Sequence, residues 1–331
     1  PEIKVVYLIP RYIFKFIKNK YIPWKMTMTL SVIFSIFPLI FYLKKNNGNY
    51  ILGLVSILAF LGFLISNVKP KIIFSIQGLP RSKMIFNLNL FLSKFLSDVD
   101  YVIPTKSMSE YLDEMYKQSE SIEYQVVPNA VLDSHLISKS KESVDHKWYN
   151  NDEIFVITAV GRLTNQKDFT NLINAFALTV NSLDFIRLVI IGSGEQKELL
   201  QSLVEDLSLE SKVEFLGFQS NPYKFMNASD LFVMSSKWEG PGHVLIEALG
   251  TGCPVITTNC PIGPADSIQN GEFGELIEVG NSKALSESIL YAFKNQSDML
   301  LKVKKSENYM KKFYTENVVN EYKKLLTNEH R

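Results

Sequence analysis

Apolar residues in this chain fall into short continuous runs separated by amphipathic stretches, most regularly in the second half. From residue 153 the runs IFVITAVG (154–161), IRLVIIG (186–192), VEFLG (213–217), DLFVMSS (230–236) and PVITT (254–258) are rich in β-branched residues and read as strands buried on both faces. Between them lie FTNLINAFALTV, QKELLQSLVEDL, PYKFMNA and HVLIEALG, whose apolar spacing predicts helices. Strands alternating with helices indicate a parallel sheet covered on both faces. Three helices close the chain, over roughly 281–295, 298–313 and 315–328.

The first half is less regular. Residues 3–9 read as a strand, and RYIFKFIKNKYIPWKM (11–26) interleaves basic and aromatic residues. Two uncharged runs follow, 26–43 and 46–68; a bilayer needs about 20 apolar residues. NNGN interrupts the second run, which also reads as a strand (50–54) and a helix (55–67) ahead of a strand at 71–77. A membrane span, a peripheral contact through the basic aromatic segment and a solvated helix face all fit here. A helix over 84–96, a strand and helix start in DYVIPTKSM, and a strand running into a Pro-Asn turn in YQVVPNAVLD (124–133) complete this half. Residues 134–152 are polar and read as an irregular linker.

A length of 331 residues accommodates two domains. The net charge of +1 hides an asymmetry. Residues 1–97 carry thirteen Lys/Arg and one acid, whereas 98–331 carry twenty-two Lys/Arg and thirty-three acids. Two domains with different partners are expected. The basic part is rich in Phe, Ile and Leu and shows no nucleic-acid motif, which favours an anionic lipid surface over nucleic acid. Two cysteines and four scattered histidines make neither a disulfide framework nor a zinc pattern, and a cytoplasmic home is expected. DVD at 98–100 has the form of a metal motif, but it precedes a strand instead of following one; no metal is expected.

In parallel sheets, ligands bind beyond the carboxyl ends of the strands. Three such loops carry chemistry. In GRLTNQKDF, Arg162 and Lys167 flank a loop entering a helix, an arrangement suited to a diphosphate. In IIGSGEQ, Gly192 and Gly194 permit a close backbone approach to a ligand, or simply a tight turn. In KWEGPGHVLIEALG, Glu239 precedes a Gly-Pro-Gly loop and Glu247 lies in the second turn of the following helix. Its side chain leans back toward the helix start, on the face of His243. Both carboxylates border one pocket floored by the Gly240–Gly242 backbone and are suited to sugar hydroxyls.

Together these residues resemble the retaining, nucleotide-sugar-dependent glycosyltransferases of family four, which have the GT-B fold. Glu239 and Glu247 match the family's Glu, seven residues, Glu motif. Gly161, Arg162, Leu163 and Lys167 match its Gly-Arg-Leu…Lys motif. VVPNAV resembles its Pro-Asn-Gly turn, with Ala130 in place of Gly, and the stretch after the acidic motif is similar throughout. The resemblance covers about 120–300 closely and 50–115 loosely.

It implies an α/β architecture of two Rossmann-like parallel-sheet domains. An acceptor-side domain occupies 1–140, a donor domain 150–308, and a helix over 309–331 packs back on the first. The family's N-terminal strand and glycine-rich loop have no match, so the start of the protein is expected upstream of Pro1. By the same resemblance, Arg162 and Lys167 hold the donor diphosphate. Glu247 binds the ribose, and Glu239 with the amides near Gly242 and His243 holds the transferred sugar. Gly161, Gly192, Gly217, Val244 and Leu245 line the donor site, and VEFLGF lies beside the base, uridine being the common one. Glu239, Arg162 and Lys167 carry the catalytic role without metal or cofactor. Gln77, Gly78 and Arg81 lie on the acceptor side; the family often has His where this chain has Gln77, and Gln is neither an acid nor a base. The expected partners are a nucleotide-sugar donor, a glycan or lipid-linked acceptor, and the inner face of a membrane. An epimerase on the same fold, and a non-catalytic nucleotide-sugar-binding protein, are the competing readings.

Overall fold

The computed structural model describes residues 45, 50–52, 71–78, 83–95, 98–116, 122–149 and 151–327. The strand expected over 3–9, the basic aromatic segment 11–26, Arg81 and, apart from the pieces named, the runs 26–43 and 46–68 lie outside them. The described residues form two compact units.

The first unit is built on β1 (Tyr50–Leu52), β2 (Ile72–Ser75), α1 (Lys83–Ser93), β3 (Val99–Ile103) and β4 (Tyr124–Val126). The strands pair in parallel in the order β1-β2-β3-β4. All four residues of β2 are buried, as its unbroken run Ile72-Ile73-Phe74 requires. Asp100, read as flanking a strand, lies inside β3 and pairs with Lys71 at 3.1 Å. Among the described residues no cluster of three metal-ligating side chains occurs. Helix α2 (Lys106–Tyr116) follows β3.

The second unit comprises residues 104–112 and 127–322. Its elements in chain order are α3 (Ser134–Ser140), β5 (Phe155–Val160), α4 (Phe169–Val180), β6 (Ile186–Ile191), α5 (Lys197–Asp206), β7 (Val213–Gly217), α6 (Tyr223–Asn227), β8 (Leu231–Met234), α7 (His243–Gly250), β9 (Val255–Thr258), α8 (Pro264–Ser267), β10 (Glu275–Ile277), α9 (Ser282–Lys294), α10 (Gln296–Met310) and α11 (Thr315–Thr327), the last running beyond the unit's border. Six parallel strands run in the order β10-β9-β8-β5-β6-β7. Side chains of a strand alternate between its faces, and the core follows that alternation. Ile157, Leu188, Ile190, Leu231 and Val233 join Leu172, Phe176 and Ile289 in one layer. Phe232 and Met234 turn the other way and meet Leu245, Ile246 and Leu249 of α7.

The segment read as an irregular linker is corrected in part. Residues 134–140 are a helix, started by the Asp133 carboxylate, which accepts from the Leu136 N–H at 2.6 Å. Beyond it, Val144 and Trp148 are buried against Val156, Val189 and Phe225, covering the sheet face. Five large apolar residues in this polar stretch, Leu136, Ile137, Val144, Trp148 and Tyr149, anchor it, too few and too irregularly spaced for a periodicity to show. β10 was likewise not expected; at three residues it is too short to stand out. Among the described residues no helix is long and apolar enough to cross a membrane.

Candidate active site

Strand order decides where the site lies. The chain runs β5-β6-β7 in one direction across the sheet, then returns to place β8, β9 and β10 on the other side of β5. Strands β5 and β8 are therefore neighbours, and the order reverses between them. In parallel sheets, ligands bind beyond the strands' carboxyl ends at such a point. The loop after β5 carries Gly161, Arg162 and Lys167. The loop after β8 carries Glu239 and leads to Gly242 and His243.

Between these two loops Lys167 Nζ lies 2.5 Å from Glu239 Oε1, with both side chains largely buried. Ser236 Oγ donates to the same oxygen at 2.6 Å, and Ser236 is held in turn by Thr258 Oγ1 donating to its carbonyl. Around the pair the two loops are stitched together. Ser235 Oγ donates to the Lys167 carbonyl at 2.9 Å, the Lys237 N–H to the Gln166 carbonyl at 2.8 Å, and Gln166 Nε2 to the Trp238 carbonyl at 2.9 Å. Lys237 Nζ reaches Asn165 Oδ1 at 2.9 Å and the buried Asp168 carboxylate at 3.4 Å. None of Ser236, Lys237 and Asp168 was singled out from sequence; Lys237 and Asp168 lie 69 positions apart, beyond any local pattern, and Ser236 matters only once Glu239 is placed against Lys167.

Arg162 is exposed. Gly192 follows β6 with φ +145°, and its N–H donates to the Gly217 carbonyl at 2.8 Å. A Cβ there would stand 1.8 Å from the Gly161 carbonyl oxygen, and one at Gly194 would stand 2.3 Å from that of Leu163. What approaches these glycines in the protein is the neighbouring loop that carries Arg162.

Gly242 turns the chain into α7 at φ +71°, a conformation that disfavours a side chain. The helix starts with no side-chain cap, which leaves its positive end without a side-chain acceptor. Leu245 is buried in the core and Val244 half-buried, so neither side chain is displayed to a ligand as a polar group. His243 takes a hydrogen bond from Asn129 at 2.7 Å. Desolvation lowers the pKa of its imidazole, with Glu239 opposing and Lys167 reinforcing.

Glu247 is half-buried one turn further on. Burial pushes its pKa up to about 7, and the Lys167 charge only partly offsets this. Among the described residues no donor bonds to its carboxylate, although an unpaired carboxylate withdrawn from water is costly. Cys260 is buried nearby, and burial, then the Glu239 charge, raise its thiol to about 11, which disfavours the thiolate. Gln77, whose side chain donates to Ser75 Oγ, and Gly78 follow β2 in the first unit.

The model of the family glycosyl transferases group 1 matches residues 140–313. An uncharacterised glycosyltransferase of Methanocaldococcus jannaschii is 35% identical over 173 residues, covering 52% of this chain and 43% of that protein. The N-acetylgalactosamine-N,N'-diacetylbacillosaminyl-diphospho-undecaprenol 4-alpha-N-acetylgalactosaminyltransferase of Campylobacter jejuni is 32% identical over 209 residues, covering 61% and 54%. The match spans about half the length of these curated relatives. Among solved structures, Anabaena HepE in complex with UDP superposes with a TM-score of 0.73 at 16% identity, covering 89% of this chain and 82% of that one. A glycosyltransferase from Rickettsia africae superposes with a TM-score of 0.74 at 18% identity, covering 94% and 83%. These likenesses show the GT-B fold, with one parallel Rossmann-like sheet in each unit. The residues that meet at the β5/β8 switch point lie within the matched region, and the chain belongs to the group 1 glycosyl transferases.

Proposed function

We propose that this chain transfers a sugar from a nucleoside diphosphate donor, a UDP-sugar, to a glycan or lipid-linked acceptor with retention of configuration, in cell-envelope polysaccharide or glycoconjugate synthesis. The observation that carries the reading is the Glu247 carboxylate, half-buried and without a donor beside a helix start. The paired hydroxyls of a ribose supply the donors it lacks. The solved HepE neighbour holds UDP, and the Campylobacter relative is named for a diphospho-undecaprenol acceptor.

In this reading Arg162 and the start of α7 hold the diphosphate. Lys167 has three N–H donors, so it reaches a phosphate oxygen while keeping Glu239. As the bond to the sugar breaks, negative charge grows on the leaving diphosphate, and these groups stabilise it without a metal. Glu239, immobilised by Lys167 and Ser236, accepts from the transferred sugar. Gln77, Gly78 and Arg81 belong to the acceptor side, and the basic segment 11–26 to contact with an anionic membrane at the cytoplasmic face.

Calorimetric titration of UDP tests the assignment. Hydrogen bonds to a charged group contribute about 1.5–3 kcal/mol, so Glu247→Gln is expected to weaken UDP by roughly ten- to hundredfold. Equal affinity in the two proteins would remove Glu247 from the donor site.

A further inference from the structure

We propose that Asn129 fixes the tautomer of His243 so that its Nδ1–H donates to a hydroxyl of the sugar carried by the donor, which makes His243 a specificity-determining residue and Asn129 its positioning residue. The proposal rests on the donor reading above.

The two residues are 114 positions apart and meet through Asn129 Nδ2 and His243 Nε2 at 2.7 Å. An amide nitrogen only donates, so Nε2 must accept and carry no proton. The proton of the neutral ring is then on Nδ1, the nitrogen that Asn129 does not engage. His243 is the first residue of α7, directly after the Gly240–Gly242 loop that begins at Glu239. The charged groups that act on it are Glu239 and Lys167, one of each sign and paired with each other at 2.5 Å. Their effects oppose, and partial desolvation of this otherwise exposed side chain lowers its pKa, which favours the neutral ring. The diphosphate already has Arg162, Lys167 and the helix start. A neutral N–H beside Glu239 suits an uncharged oxygen, which the transferred sugar supplies.

The chemistry also explains why an Asn serves at 129. A carboxylate there would accept from Nε2–H and favour the charged ring, protonated on both nitrogens. A hydrophobic residue would leave both tautomers open.

The test begins without ligand. Two-bond 1H–15N correlation spectra of the full chain, with the His243 ring identified by its loss in His243→Gln, are expected to show the Nδ1–H form. The Nε2–H form would overturn the proposal. In Asn129→Ala the signals are expected to move toward a mixture, and in Asn129→Asp the His243 titration is expected to move to higher pH. An unchanged tautomer in Asn129→Ala, or an unchanged titration in Asn129→Asp, would remove Asn129 from its role, since a purely structural contact moves neither. The second arm titrates UDP, UDP-glucose and UDP-N-acetylglucosamine into wild type and His243→Ala. UDP affinity is expected to hold, while the tighter of the two UDP-sugars loses about five- to tenfold, as for one neutral hydrogen bond. Equal losses for UDP and UDP-sugar would place the contact on the diphosphate and overturn the proposal, as would no loss for either. Failure of UDP to bind the wild type sinks the donor reading instead, and the ligand-free spectra still decide the Asn129–His243 relationship.

Discussion

Lys167 and Glu239, 72 positions apart, form a buried ion pair at 2.5 Å across the point where the strand order of the second sheet reverses. Breaking one side of a buried pair strands a charge and costs about 3–5 kcal/mol, whereas removing both charges costs far less. Lys167→Met is therefore expected to lower the melting temperature sharply. Lys167→Met with Glu239→Gln is expected to regain most of that loss while remaining inactive. Additive losses in thermal unfolding would show that the pair is not coupled in solution.

The two glutamates are expected to fail differently. Glu247→Gln removes a contact made to both bare nucleotide and donor, so UDP and UDP-sugar affinities fall together. Glu239→Gln touches nothing in UDP and releases Lys167 from its partner. UDP affinity should not fall, and turnover should drop by roughly ten- to hundredfold. Turnover assays beside UDP calorimetry separate the two, and unchanged turnover in Glu239→Gln would return that residue to a purely structural role.

Glu247 also makes donor binding depend on pH. Its pKa in the free protein is raised to about 7 by burial. Hydroxyl donors favour the ionised form, so binding lowers the pKa and releases a proton. UDP affinity is expected to rise between about pH 5 and 7 and to level off above. The Glu247→Gln protein subtracts the titration of UDP itself. Calorimetry in buffers of different ionisation enthalpy counts the proton, and no difference between the two proteins would exclude the coupling.

The same shift bears on stability, with the opposite slope. The folded pKa lies above the unfolded one, so folding favours the protonated acid; this contribution is intact below about pH 4.5 and lost as pH rises through 7. Glu247→Gln is expected to raise the melting temperature of the ligand-free protein at pH 8 and to leave it nearly unchanged at pH 4.5. Scanning calorimetry at the two values checks this, and an equal change at both would point to packing.

Gly192→Ala places a methyl 1.8 Å from the Gly161 carbonyl oxygen at a φ that side chains avoid. The loop bearing Arg162 has to move or the protein unfolds. A large fall in melting temperature and in UDP affinity is expected, against a small effect for Gly240→Ala, where no atom lies within 4 Å of the added methyl.

The sequence by itself determined the local elements of the second unit and the loops that carry its chemistry. Runs such as Ile186–Ile191 and the amphipathic stretch of α4 encode their own periodicity, and a parallel sheet necessarily displays the residues that follow its strands at one edge. Arg162, Lys167 and Glu239 could be placed beyond strand ends for that reason, and Glu247 on the helix that follows. Which loops face each other was decided only by the tertiary structure. The β5/β8 neighbourhood arises because the chain crosses back over the sheet, and no local pattern records strand order. The Lys167–Glu239 pair follows from that crossing, the seating of Gly192 and Gly194 on the Arg162 loop from the direct pairing of β5 with β6, and the contact of Asn129 with His243 from the path of the extended segment after β4. Helix α3 escaped for the complementary reason. Its buried face is two residues, Leu136 and Ser140, and what makes it a helix is the Asp133 cap together with a groove that exists only once α6 and α7 are packed.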